Sequence, residues 1–113
     1  MHEMSIAQNI IEIIEEQLRE TEFSKVSVVK MKIGALTAVE PSALLFCFDV
    51  ISKGTLAEGA RLEIDEVPIR GQCKECQTNF EVQDYFFVCP TCGSVDVKLI
   101  SGEELLVSEL EVE

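Results

Sequence analysis

Between Ser5 and Glu20 the apolar residues Ile6, Ile10, Ile13, Ile14 and Leu18 return at close to helical intervals, with Glu12, Glu15, Glu16 and Arg19 on the other face. That period belongs to an amphipathic helix with one side turned to a core. Ser5, or Met4 one residue earlier, stands where an N-cap belongs. The period then shortens to two. In KVSVVKMKIG (25–34), Val29, Met31 and Ile33 alternate with Val28, Lys30 and Lys32, which predicts a strand closed by Gly34. A second helix follows, with Pro41 in its first turn, a stripe of Leu44, Leu45, Phe48 and Ile51, and Gly54 at its C-terminal stop. GARLEIDEV (59–67) alternates again, as a half-exposed strand does, and EELLVSELEVE (103–113) reads as a last strand.

From about 70 to 100 neither period holds. Cysteine, glycine, proline and short polar segments replace it. The chain is expected to be α/β in the α+β sense: a small mixed sheet packed with two helices, carrying an inserted four-cysteine zinc-ribbon module. The expected division is residues 1–69, completed by the strand at 101–113, and a metal-binding module over 70–100.

Charge narrows the partners. The 113 residues carry a formal net charge of −12, which disfavours phosphate backbones and anionic membranes. No run approaches the roughly 18 apolar residues of a membrane-spanning helix, and the N-terminal segment lacks the basic flank and apolar stretch of a signal peptide. The expected location is cytoplasmic, where cysteines stay reduced and point to metal or chemistry before disulfides.

Four of the five cysteines form two Cys-x-x-Cys pairs, Cys73/Cys76 and Cys89/Cys92, twelve residues apart. Each pair bends the backbone so that two sulfurs face one point, and two such knuckles close a tetrahedron suited to Zn²⁺. A four-thiolate iron site is chemically compatible with the same spacing; a redox dithiol needs only one pair. Four thiolates leave no open coordination position, so the site is expected to be structural. The intervening QTNFEVQDYFFV suggests a strand, turn and strand, with Tyr85, Phe86 and Phe87 as a small core. Cys47, beside the second helix's stripe, reads as a small buried hydrophobe.

The only histidine is His2. It is either a solvated end residue or half of a metal clamp. The amine of Met1, the amide nitrogen of His2 and its Nδ1 form unstrained five- and six-membered chelate rings in one plane, which suits Ni²⁺ or Cu²⁺. The bulky second residue keeps Met1 in place, and Glu3, water or a partner's group fills the fourth position. The amide must lose its proton, so affinity rises with pH.

MHE at the start, the following Ser5, SKGT at 52–55 and the two Cys-x-x-Cys pairs together resemble the hydrogenase nickel-incorporation family, HypA/HybF. The resemblance covers essentially the whole chain. It implies a nickel metallochaperone that binds Ni²⁺ as transient cargo through Met1, His2 and Glu3. It also implies a structural Zn²⁺ on Cys73, Cys76, Cys89 and Cys92. Some members add an acid at the start of the second helix, matched here by Glu40 as a second-sphere group, or a histidine in the zinc module, which this chain lacks. The implied partners are the GTPase HypB and the large subunit of [NiFe]-hydrogenase, with urease maturation in some organisms. A monomer with one site and a homodimer sharing one nickel both fit.

The alternative is an acidic zinc-ribbon protein–protein adaptor without nickel function. A nucleic-acid ribbon is disfavoured, because residues 70–100 hold only Arg70, Lys74 and Lys98 as cations. An enzyme fares worst: one histidine, no phosphate-binding glycine loop and no Ser/His/Asp set.

Overall fold

The computed structural model describes residues 2–113. Its described residues form two α-helices, a 3₁₀ turn at Ala35–Thr37 and six strands, in chain order α1 (Glu3–Leu18), β1 (Val26–Gly34), the 3₁₀ turn, α2 (Pro41–Ile51), β2 (Arg61–Val67), β3 (Arg70–Cys73), β4 (Asn79–Glu81), β5 (Val97–Ser101) and β6 (Leu105–Val112). The strands make two three-stranded sheets, ordered β2-β1-β6 and β4-β3-β5. Two compact units result. One comprises residues up to 32, 39–65 and 106–113; the other comprises 33–38 and 66–105. The expected class holds: two helices pack on a mixed sheet, with a cysteine cluster of the zinc-ribbon kind. Among the described residues no helix is long and apolar enough to cross a membrane.

In the first unit, α1 begins earlier than the sequence suggests. The N-cap is His2, not Ser5 or Met4, and the first ladder bond runs from the Ile6 N–H to the His2 carbonyl at 3.1 Å. No side chain caps this end, and Met4 and Ser5 lie inside the first turn rather than at the cap. The helix also stops two residues short of Glu20. Its buried stripe is Ala7, Ile10, Ile11, Ile14 and Leu18, whereas Ile13 is 43% exposed. Isoleucines lie on more than one flank of α1, and only the flank facing the core is covered.

α2 starts as expected with Pro41 at its first position and buries Leu44 and Phe48. Leu45 and Phe46 stay exposed, and Cys47 is half-buried rather than buried. Ser52 is the C-cap, its N–H donating to the Phe48 carbonyl, while Gly54 supplies the left-handed residue two positions on (φ +80°). In β1, Val26, Val28, Val29 and Met31 are buried on both faces, and the Lys30 ammonium pairs with Glu109 at 3.0 Å and Glu111 at 3.5 Å on β6.

In the second unit, β3 is flanked by antiparallel β4 and β5, with Gly71 opposite both Phe80 and Leu99. The core is Ile69, Phe80, Val82 and the sulfurs of Cys73 and Cys89, with Phe87 packed at its edge. Tyr85 and Phe86 are not part of it: they are 62% and 68% exposed. Nor do residues 77–88 form two strands; only Asn79–Glu81 is extended. The reason is a tight turn. Asp84 (φ +51°) and Tyr85 (φ +59°) are both left-handed, and the Phe86 N–H donates to the Gln83 carbonyl at 2.8 Å, which closes a type I′ turn and turns the aromatics outward.

Gly34 and Gly102 meet in the same unit. The Leu36 N–H donates to the Gly102 carbonyl at 2.8 Å, and the Gly34 N–H to the Glu104 carbonyl at 2.6 Å. A Cβ on Gly34 would overlap the Gly102 carbonyl.

Candidate functional site

The sulfur site is built by two copies of one local structure, offset by sixteen positions (73 to 89, 78 to 94). In each knuckle the first cysteine's N–H donates five residues ahead, Cys73 to the Thr78 carbonyl and Cys89 to the Ser94 carbonyl, both at 2.9 Å. Each first cysteine's carbonyl accepts from four residues on, from Gln77 at 3.0 Å and Gly93 at 2.9 Å. Those two donors are left-handed, Gln77 at φ +67° and Gly93 at φ +76°, which reverses the chain after each pair. Backbone amides then point at sulfur: Cys76 N–H to Cys73 Sγ at 3.4 Å, Thr91 N–H to Cys89 Sγ at 3.4 Å, and Cys92 N–H to Cys89 Sγ at 3.5 Å.

All four ligand atoms lie within 4.8 Å of one another, with Cys73–Cys92 and Cys76–Cys89 sulfurs at 3.5 Å. A tetrahedron of sulfurs with metal–sulfur bonds of ~2.3 Å has edges of about 3.8 Å, so the donor set fits one tetrahedral ion. Cys73 and Cys89 are buried, Cys76 and Cys92 exposed, so the cage has a closed floor and an open side. The thiols are not alike. The Thr78 hydroxyl, 3.1 Å from Cys76 Sγ, and the Thr78 N–H pull the Cys76 thiol down to about 6. Cys92 goes the other way, up to about 12: the Ser94 N–H lowers it, but Cys73 Sγ, burial and the remaining sulfurs together outweigh that pull. Crowded sulfurs cannot all be anionic without a cation between them, so filling the cage releases protons.

The second group of predicted residues sits at the start of α1. Met1 lies outside the described residues. His2 is exposed at the N-cap, and Glu3 opens the first turn. Glu40 is the N-cap of α2, its Oε1 accepting from the Ser42 N–H at 3.1 Å and Oγ at 2.7 Å. The structure links the two helix starts directly: the Glu40 N–H donates to Glu3 Oε2 at 3.0 Å. That N–H holds the Glu3 carboxyl below the usual carboxylate range, and Ser42 does the same for Glu40. His2, Glu3 and Glu40 are thus brought to one place, within the first unit, whereas the sulfur cage is built entirely by the second.

Sequence reasoning singled out Glu40 without the hydrogen bond that ties it to Glu3. No local pattern signals that contact, because its partners are 37 positions apart.

The family described as "Hydrogenase/urease nickel incorporation, metallochaperone, hypA" matches residues 1–112. A hydrogenase maturation factor HypA from Geobacter sulfurreducens is 52% identical over 113 residues, covering the whole of both chains, and one from Acidithiobacillus ferrooxidans is 50% identical with the same coverage. Among solved structures, the solution structure of the Ni metallochaperone HypA from Helicobacter pylori aligns with a TM-score of 0.69 at 27% identity, over 99% of this chain and 97% of that one. A second HypA solution structure gives 0.73 at 28% identity, over 100% and 97%.

Proposed function

The chain belongs to the HypA family of hydrogenase/urease nickel-incorporation metallochaperones, and from that premise we propose that it carries Ni²⁺ on the start of α1 and delivers it during maturation of [NiFe]-hydrogenase. Met1 amine, the His2 amide nitrogen, His2 Nδ1 and Glu3 are the groups that hold the cargo. The observation that carries this reading is His2 at the N-cap. The first N–H groups of a helix have no partner in its ladder, so the His2 amide loses a proton to a metal without breaking a helical hydrogen bond. An exposed imidazole on the same residue completes the chelate rings.

Two electrostatic effects oppose each other at this end. The positive end of the α1 dipole opposes a divalent cation. The carboxylates of Glu3 and Glu40, joined through the Glu40 N–H, offset it. Of these four donors the Glu3 carboxylate is the exchangeable one: an incoming thiolate or imidazole displaces it while the three nitrogens hold the ion, and transfer proceeds by ligand exchange. Release is the reason for an open site, since an enclosed one would bind more tightly and let go slowly.

Cys73, Cys76, Cys89 and Cys92 are the residues that would hold a structural Zn²⁺, and the ion would cross-link the two knuckles. The chain's function is carriage rather than catalysis, as befits a metallochaperone family. The GTPase HypB and the hydrogenase large subunit are the proposed partners, and urease maturation is a second proposed destination.

Calorimetry with Ni²⁺ on tag-free, zinc-loaded protein tests the nickel site. His2→Ala is expected to abolish the main binding event while zinc content stays unchanged. Wild-type affinity and stoichiometry in that variant would remove the site.

A further inference from the structure

The aromatic residues turned out by the 84–85 turn do not face empty surface. A groove of about 470 Å³ opens beside them in the second unit, a volume within the range of side-chain and small-ligand pockets. Its floor is apolar, including buried Ile69 and Val82, and Tyr85 stands at its rim. Three carboxylates line it as well, Glu66, Glu81 and Asp84. Among the described residues no lysine or arginine lines the groove; Arg70 sits across the ladder from Glu81 but is not a wall of it.

We infer that this groove receives an arginine side chain from a partner protein, its stem on the Ile69–Val82 floor and its guanidinium between Tyr85 and the carboxylates. Three observations fix the occupant. The floor is apolar, which suits a long aliphatic stem. The charge of the wall is of one sign, and the whole chain carries −12, so a second copy or a nucleic acid is repelled. The rim carries an exposed aromatic ring beside carboxylates, the pairing that favours a planar, delocalised cation over a compact ammonium. Phe86, next to Tyr85 in the chain and also exposed, is not a wall of the groove but offers apolar surface for a neighbouring apolar residue of the same partner segment. This surface is independent of the nickel-binding reading, because none of its residues belongs to either metal site.

The test uses full-length, zinc-loaded ¹⁵N-labelled protein titrated with acetyl-Leu-Arg-Leu-amide, alongside acetyl-Leu-Lys-Leu-amide and acetyl-Leu-norleucine-Leu-amide. Saturable shifts confined to the amides of Glu66, Val67, Ile69 and Glu81–Phe86, stronger for arginine than lysine and absent for norleucine, are expected. Glu66→Gln/Glu81→Gln should weaken the arginine peptide roughly tenfold. Tyr85→Asn, which keeps a residue tolerant of the left-handed backbone, should weaken it while leaving the zinc content unchanged. Shifts spread evenly over surface carboxylates, or equal response to norleucine, would overturn the proposal. Concentration-dependent shifts of the same amides without peptide would overturn it in favour of a second copy.

Discussion

The backbone N–H of Glu40 donates to the Glu3 carboxylate at 3.0 Å, so the first turn of one helix is fastened to the cap of another. Glu3 therefore has a structural task as well as its proposed place beside the cargo. The two tasks separate by substitution. Glu3→Gln keeps an acceptor for the Glu40 N–H and removes the charge. Its melting temperature should stay near wild type while nickel affinity falls. Glu3→Ala should lower both. Equal nickel affinity in Glu3→Gln and wild type, measured by calorimetry, would exclude the carboxylate charge from the site.

Lys30 gives a prediction for pH. Its pairing with Glu109, and then with Glu111, raises its pKa above the ordinary lysine value. A raised cationic group contributes stability that is complete below its unfolded value, about 10.4, and is lost as pH climbs through the higher folded value. The difference in melting temperature between wild type and Lys30→Met should be constant from pH 7 to about 10 and shrink above that. Because all three side chains are solvent-exposed, the same difference should also shrink in ~1 M salt, where the screening length falls to about 3 Å. A difference that grows toward alkaline pH would contradict the pairing.

Removing the metal should affect the second unit first. Its core is small, and two of its five members are the buried cysteines 73 and 89. With the proposed zinc bound, stripping it with a chelator, or Cys73→Ser, is expected to erase hydrogen-exchange protection of β3, β4 and β5, with metal content falling in step. Protection unchanged after complete metal removal would show that apolar packing alone holds this unit.

The aromatics of that unit divide sharply. Phe80 is 8% exposed within the core and Phe86 is 68% exposed outside it. Phe80→Ala should cost about 3–5 kcal/mol and Phe86→Ala should stay within about 0.5 kcal/mol, as chemical denaturation of the metal-loaded chain will measure. Similar losses at both positions would place Phe86 in the core after all.

The contrast between these aromatics also shows what was legible in the sequence. Spacing alone located the four sulfurs, because a Cys-x-x-Cys knuckle is a local structure and each copy makes the same short-range hydrogen bonds. The strand β1 and the start of α2 were legible for similar reasons, a period of two and a proline at the first helical position. The fate of Tyr85 and Phe86 was not, because a left-handed Asp-Tyr turn carries neither the glycine nor the asparagine that ordinarily announces it. On α1 the isoleucines offered two candidate flanks, and the choice of Ile11 over Ile13 is made by what packs against the helix. The Glu3–Glu40 bond depends on the tertiary fold and has no local signature.

The contact between Gly34 and Gly102 bears on how such a chain can diverge. Two distant stretches of the gene are joined there through atoms every residue shares, in a space that admits no side chain at Gly34. Gly102, at φ +121°, adopts a backbone closed to other residues without strain. Drift at either codon is therefore penalised whatever the neighbouring sequence becomes, so the crossing is expected to persist in lineages where the surrounding surface has been rewritten.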